Sequence, residues 1–149
     1  MTKDFYKNYN YVARAPHFID REELTDQQWQ RLTESKTFCM LPWVHMHAFP
    51  DGRAYPCCLS EYSHPVGDLR NNTMREVWNQ DAYKTMRKNM LEDKPCKECT
   101  KCYEQEQHGA FSMRHDANRN YGHHIGEVDA THDDGKNPKF EIRYWDIRF

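Results

Sequence analysis

Several features that would identify other classes of protein are missing from this sequence. Its 149 residues contain neither G-x-G-x-x-G nor G-x4-G-K-S/T, so no nucleotide-binding loop is predicted. No apolar stretch is long enough for a signal peptide or a membrane span. Lys and Arg number 21 against 23 Asp and Glu, a formal net charge of −2, which predicts no strongly basic surface. We therefore expect a cytoplasmic protein that binds neither nucleic acid nor membranes.

Apolar residues are also scarce, and this limits the size of the core. Only 38% of the residues are hydrophobic, and a chain of this length favours one domain with appended segments. A small core benefits from a covalent or metal staple that offsets the entropy lost on folding. The six cysteines would provide one. Because a reducing cytosol disfavours disulfides, we expect them to serve metal binding or redox chemistry.

The first 35 residues are predicted to form an N-terminal arm and one short helix. Residues 1–18 are aromatic and polar without periodicity, which is typical of a segment that is disordered or docked onto another surface. Thr25 followed by Gln28 is a capping box. It predicts a helix near residues 26–35.

A β-hairpin is predicted to follow. The pattern WVHMHAF at residues 43–49 is compatible with a strand, and the turn residues PDG lead from it into RAYPCC. Pro42 and Pro56 lie at the ends of these strands, where a missing N–H group is tolerated.

Two helical stretches separate the hairpin from the remaining cysteines. Thr73 and Glu76 form a second capping box. The segment DAYKTMRKNML then places Tyr83, Met86 and Met90 on one face at helical spacing, which predicts core packing. Beyond it, KPCKECTKC is predicted as a loop that runs into a polar helix interrupted at Gly109.

The last eleven residues, KFEIRYWDIRF, alternate apolar side chains on one face and then on the other. This pattern predicts a strand that contains a bulge or is buried on both faces. Such a strand without a following turn suggests a domain cut from a longer protein.

The cysteines fall into two groups. The downstream group has the spacing C-x2-C-x2-C and comprises Cys96, Cys99 and Cys102. The upstream group surrounds the predicted hairpin and comprises Cys39, Cys57 and Cys58. Soft thiolates select zinc or iron-sulfur clusters over hard cations, and short loops of this spacing turn two sulfurs toward one centre. Because four thiolates satisfy either metal, the residues alone leave the ligand set and the metal open.

Histidines add a rival interpretation. His45 and His47 share one face of the predicted strand, and His123 and His124 are adjacent in sequence. A zinc ion bound by three cysteines and one histidine is chemically acceptable. The alternative function is therefore a structural, cysteine-ligated zinc module for protein interaction, in which the metal holds loops together without redox chemistry.

One family shares both the cysteine spacing and the segment that connects it. Twelve residues separate Cys39 from Gly52, Gly52-x4-Cys57 follows, and Cys99-x2-Cys102 comes after a gap. This arrangement resembles SPASM, an auxiliary iron-sulfur module of radical SAM enzymes, in its shorter one-cluster form called twitch. The connecting segment VGDLRNNTMREVWNQDAYKTMRKNM is similar to the G-N-L, W-N and R pattern of that module. The resemblance covers roughly residues 36–107.

The resemblance implies a fold, a cofactor and a ligand set. The fold would be α+β, a small hairpin and helices around one [4Fe–4S] cluster. The cluster would be held by Cys39, Cys57, Cys99 and Cys102, with Cys96 and Cys58 as substitutes. No cysteine follows Cys102, so a second cluster is not expected.

The resemblance also implies a partner. The C-x3-C-x2-C motif of a radical SAM core is missing from this sequence, so S-adenosylmethionine would be bound only with a catalytic core supplied in cis or in trans. The final IRYWDIRF resembles the first strand of a radical SAM barrel. The implied layout is an arm and helix at 1–35, a cluster domain at 36–122, and a linker with the start of a barrel at 123–149. The cluster would assist electron transfer or the positioning of a peptide or protein substrate.

Overall fold

The computed structural model describes residues 15–131, with side chains for residues 15–128. Within this range the fold is mostly helical, with one small three-stranded antiparallel sheet. The predicted hairpin is therefore present, and it is extended by a third strand that the sequence did not reveal. The predicted C-terminal strand and most of the N-terminal arm lie outside the described residues.

The first helix begins where the capping box predicts. Helix α1, Asp26–Trp29, continues as a π-helical turn over Gln30–Glu34. The Thr25 hydroxyl accepts a hydrogen bond from the Gln28 N–H, and the Gln28 side chain accepts one from the Thr25 N–H. These reciprocal bonds satisfy two amide groups that a helix start leaves without partners.

The strand predicted at residues 43–49 is wrong in its first half. Leu41–Val44 forms a short helix, α2, and the strand β1 covers only His47–Ala48. Pro42 lies in the first turn of α2, where its fixed φ and missing N–H suit a helix start. The Trp43 ring stacks on Phe38 with centroids 5.5 Å apart, and both side chains are buried. The helical turn thus places the Trp43 side chain in the core.

The sheet places Cys57 just beyond the end of its central strand. Strand β1 pairs with β2, Arg53–Tyr55, and β2 pairs with β3, Gly67–Asp68, both antiparallel. The turn between β1 and β2 depends on Gly52, whose φ of +92° is a conformation that side chains disfavour. Cys57 follows β2 after one proline.

Two helices that follow the sheet in sequence contribute buried side chains to the core. Helix α3, Met74–Trp78, starts at the predicted Thr73 capping box. Helix α4, Asp81–Leu91, covers the predicted segment, and its Tyr83, Met86 and Met90 are buried as predicted.

The second half of the described chain is helical. A 3-10 turn, Lys97–Cys99, leads into α5, Thr100–Gln107, and then into α6, Met113–Tyr121. The predicted break at Gly109 is confirmed, with a φ of +83°. A further 3-10 turn, Gly122–His124, precedes α7, Ile125–Thr131.

Helix α7 occupies part of the predicted linker, and the sequence did not reveal it. Ile125 and Val128 are buried in the hydrophobic core. Within residues 15–131, no helix has the length and apolar content needed to cross a bilayer.

Candidate metal centre

Four cysteine side chains line one cavity near the junction of the sheet and the helices. They are Cys39, Cys57, Cys99 and Cys102. The cavity contains about 400 Å³ of space without protein atoms, part of it open to solvent. Most of its other lining residues are apolar: Leu41, Pro42, Pro56, Leu59, Met90 and Met113, with Glu98 and Arg114 as the charged exceptions. The structure thus brings together the four thiols that the resemblance selected.

Each thiol reaches the cavity from a different local structure. Cys39 precedes α2, and Cys57 lies in the turn after β2. Cys99 ends a 3-10 turn and caps the start of α5, and Cys102 lies in the first turn of α5. All six cysteines of the chain are free thiols. Because two chain segments far apart in sequence supply the four, the site exists only in the folded protein.

The backbone around Cys39 is clamped by α6. Asn118, fully buried, accepts a hydrogen bond from the Met40 N–H at 2.8 Å and donates one to the Phe38 carbonyl at 3.0 Å. Arg114 Nη1 donates to the carbonyls of Ser35 and Phe38, both at 2.8 Å. These bonds lie on both sides of Cys39, so α6 fixes the direction in which its thiol points.

The loop that carries Cys57 is tied to the loop that carries Cys99. The Cys57 N–H donates to Ser60 Oγ at 3.3 Å, and the Cys57 sulfur lies 3.6 Å from the same oxygen. The Glu61 N–H donates to the Glu98 carbonyl at 3.1 Å, and Thr100 Oγ1 donates to Glu61 Oε1 at 2.9 Å. The two loops are therefore joined directly by hydrogen bonds.

Helix α4 carries a buried arginine that holds the cysteine region from the other side. Arg87 Nε donates to the Pro42 carbonyl at 2.9 Å, and its Nη1 donates to the Trp78 carbonyl at 3.0 Å. The guanidinium stacks on the rings of Trp78 and Tyr83, 4.6 and 4.9 Å from their centroids. It thereby joins α2, α3 and α4 just beyond Cys39.

The electrostatic environment of the cavity disfavours ionisation of all four thiols when no metal is bound. Burial is the largest cause that raises the pKa values of Cys39, Cys57 and Cys102. The pKa of Cys99 is raised first by a hydrogen bond with Cys96 and then by burial. Charge on one thiol of the four also raises the pKa of others, for example Cys99 that of Cys39. A cationic centre bound by all four would remove this repulsion.

Backbone groups act in the opposite direction and favour the thiolate form. Hydrogen bonds from the backbone of Leu41, Leu59 and Arg114 lower the pKa values of Cys39, Cys57 and Cys102, respectively. Backbone N–H groups directed at cysteine sulfurs are a feature of protein sites that bind iron-sulfur clusters.

The two substitute cysteines stand apart from the cavity. Within residues 15–128, the cavity lining includes neither Cys96 nor Cys58. The Cys96 thiol is buried and donates to the Met86 carbonyl at 3.6 Å, and its N–H donates to Tyr103 Oη at 3.0 Å. Cys58 is exposed. Four of the six thiols thus line the cavity, whereas Cys58 does not, and neither does Cys96, although it is hydrogen-bonded to Cys99.

The histidines of the zinc interpretation are also outside the cavity lining. The rings of His45 and His47 have centroids 6.5 Å apart on the hairpin, and those of His123 and His124 have centroids 4.0 Å apart near α7. Within residues 15–128, no three His, Cys, Asp or Glu side chains are close enough to hold a single metal ion.

A buried ion pair borders the cavity, and the sequence analysis missed it. Arg114 Nε donates to Glu106 Oε2 at 2.9 Å, and Arg114 Nη2 contacts Glu106 Oε1. Ser112 Oγ donates to the same carboxylate at 2.8 Å. Burial alone would raise the pKa of Glu106, but hydrogen bonds from His115 and Arg114 outweigh it and hold the pKa at about 2. Glu106 and Arg114 lie on different helices, so no local spacing in the sequence signalled the pair.

Comparison with known proteins agrees with this geometry. Residues 39–103 match the sequence model of the SPASM family, described as an iron-sulfur cluster-binding domain. The match begins at Cys39 and ends one residue after Cys102, so it encloses all four cysteines that line the cavity. No curated protein and no solved structure matches the chain.

Proposed function

We propose that the SPASM iron-sulfur cluster-binding domain, to which residues 39–103 of this chain belong, holds one [4Fe–4S] cluster on Cys39, Cys57, Cys99 and Cys102. The observation that carries this assignment is the cavity that these four thiols line together. The family match, which spans all six cysteines, supports an iron-sulfur cluster in this region, and the cysteine spacing supports the choice of these four.

The donor set and the surroundings suit such a cluster. Four thiolates are the usual ligands of a [4Fe–4S] centre. Six of the other eight lining side chains are apolar and limit the access of water. When bound, the cluster supplies one-electron redox chemistry. The four cysteines would hold its irons, backbone N–H groups donate to the sulfurs of Cys39, Cys57 and Cys102, and the apolar lining would shield it from solvent.

The role that we propose for the domain follows from the catalytic domains with which SPASM domains occur. They accompany radical SAM cores, as auxiliary cluster-binding domains. This sequence has no C-x3-C-x2-C motif, so we place S-adenosylmethionine and its cleavage on a catalytic core that acts with the domain in cis or in trans. With a thiolate on every iron, the cluster has no open position for substrate. We therefore assign it electron transfer or the positioning of a peptide or protein substrate.

Two adjacent cysteines give a matched test of the ligand set. Cys57 lines the cavity, whereas its neighbour Cys58 is exposed. We expect Cys57→Ala to lose most of the iron and sulfide of anaerobically prepared protein, and Cys58→Ala to keep both. The same experiment on Cys99→Ala and Cys96→Ala separates the second pair of candidates.

The metal content measured in this experiment also tests the alternative function, a structural zinc module. A full cluster in Cys57→Ala would contradict the assignment of this residue. If the wild-type protein instead contains one zinc ion and no iron, the domain is a structural zinc module for protein interaction, and the redox role is withdrawn.

A further inference from the structure

The buried pair Arg114–Glu106 borders the cavity and is joined to two of the proposed ligands. We infer that Arg114 is a positioning residue for the cluster, and that Arg114 and Glu106 shift its reduction potential in opposite directions. The inference rests on the proposed function, because it requires a cluster on the four cysteines.

Arg114 is built into the site through both its side chain and its backbone. Its side chain is 3% exposed and lines the cavity. Two of its guanidinium bonds, to the carbonyls of Ser35 and Phe38, hold the segment that carries Cys39. Its backbone makes a hydrogen bond to the Cys102 thiol. One residue therefore links the first and the last of the four cysteines.

Glu106 holds the guanidinium in this position. Its two carboxylate oxygens accept from Nε and Nη2 of Arg114, which leaves Nη1 directed at the two carbonyls near Cys39. A bidentate arginine–carboxylate pair of this kind has a fixed geometry. Ser112 Oγ, at 2.8 Å, holds the carboxylate from the other side.

Each member of the pair lies close to a proposed ligand. Arg114 lines the cavity itself, and Glu106, bound to the Arg114 guanidinium, lies one helical turn beyond Cys102 on α5. Reduction of the cluster adds negative charge in surroundings where charges are poorly screened. A nearby cation therefore favours the reduced state, and a nearby anion disfavours it.

The test is a redox titration of three iron-loaded variants, followed by electron paramagnetic resonance. We expect Arg114→Met to move the potential to more negative values and Glu106→Gln to move it to more positive values. The double variant should fall between the two. A general loosening of the site would expose the cluster in both single variants and move both potentials in the same direction, which would refute the inference.

A conservative variant separates charge from position. Arg114→Lys keeps the positive charge but cannot reproduce the forked bonds to Glu106 and to the two carbonyls. We expect its potential to stay closer to wild type than that of Arg114→Met, while the cluster is lost faster on exposure to a chelator. Equal potentials in the lysine and methionine variants would contradict the charge effect.

The outcomes distinguish this inference from the proposed function. Wild-type protein without iron would refute the proposed function itself. If Arg114→Met cannot be loaded, Glu106→Gln decides, because it keeps the arginine bonds to the carbonyls around Cys39. A fully loaded Glu106→Gln whose potential equals or lies below that of wild type would overturn the inference.

Discussion

Asn118 offers the sharpest test of how the fold holds the cysteine site. It is fully buried, and its side-chain amide bonds the backbone on both sides of Cys39, to the Met40 N–H and the Phe38 carbonyl. Asn118→Ala removes both bonds. The Phe38 carbonyl keeps its bond from Arg114, but the Met40 N–H is left buried without this acceptor.

The expected cost follows from these contacts. A buried donor left without a partner costs about 1–3 kcal/mol, and the lost bond to Phe38 adds about 1 kcal/mol. The higher helix propensity of alanine returns about 0.5 kcal/mol. The free energy of unfolding should therefore fall by about 1.5–3.5 kcal/mol.

The assay is urea unfolding of iron-loaded protein without oxygen, with cluster loss and helical circular dichroism followed together. At an m-value of about 2 kcal/mol per molar urea, the midpoint should fall by roughly 0.8–1.8 M. Asn120→Ala is the control, because Asn120 lies on the same helix but is only partly buried. A midpoint equal to that of the control would refute the clamp that we assign to Asn118.

Three further predictions concern turns, a buried cation and pH. Gly52→Ala should destabilise the protein more than Gly109→Ala, in thermal unfolding. Both glycines have positive φ, but an added Cβ at Gly52 would lie 2.6 Å from Arg70 Cγ, whereas Gly109 has open space. Arg87→Met should lower the free energy of unfolding by about 2–4 kcal/mol in urea, since two buried carbonyl groups lose their donor; an effect below that of Gly109→Ala would contradict this. The pKa of Glu106, held at about 2, is depressed relative to the unfolded chain, so its contribution to stability is present at neutral pH and is lost as pH falls from about 5 towards 2. Stability measured across this range should fall less in Glu106→Gln than in wild type, and parallel curves would contradict the ion pair.

Local signals account for the elements that were predicted correctly from sequence. The capping boxes at Thr25 and Thr73 name the first residues of their helices because the reciprocal bonds involve residues only three apart. The apolar spacing of α4 predicted its buried face for a similar reason: its period is a property of the helix itself.

The predictions from sequence are wrong where tertiary contacts, and not the local sequence, determine the secondary structure. Trp43 and Val44 fit a strand pattern, but Trp43 packs on Phe38 from a helical turn that has Pro42 near its start. Helix α7 was missed because only two of its described side chains, Ile125 and Val128, are buried in the core. So short an element shows no clear apolar period in sequence.

The site was predictable only in part, for a related reason. Cysteine spacing left the ligand set open, the resemblance selected four thiols, and the fold brings these four to one cavity. Nothing in the sequence marked Arg114 or Asn118, because arginine and asparagine are usually exposed and their burial depends on partners far along the chain. The residues that position a site are thus harder to find than the ligands.

The measurement that tests the central claim most directly is the iron, acid-labile sulfide and zinc content of wild-type protein purified without oxygen. The account predicts about four irons and four sulfides per chain, with the brown colour of a [4Fe–4S] cluster. Colourless protein that contains one zinc ion, or no metal at all, would contradict it.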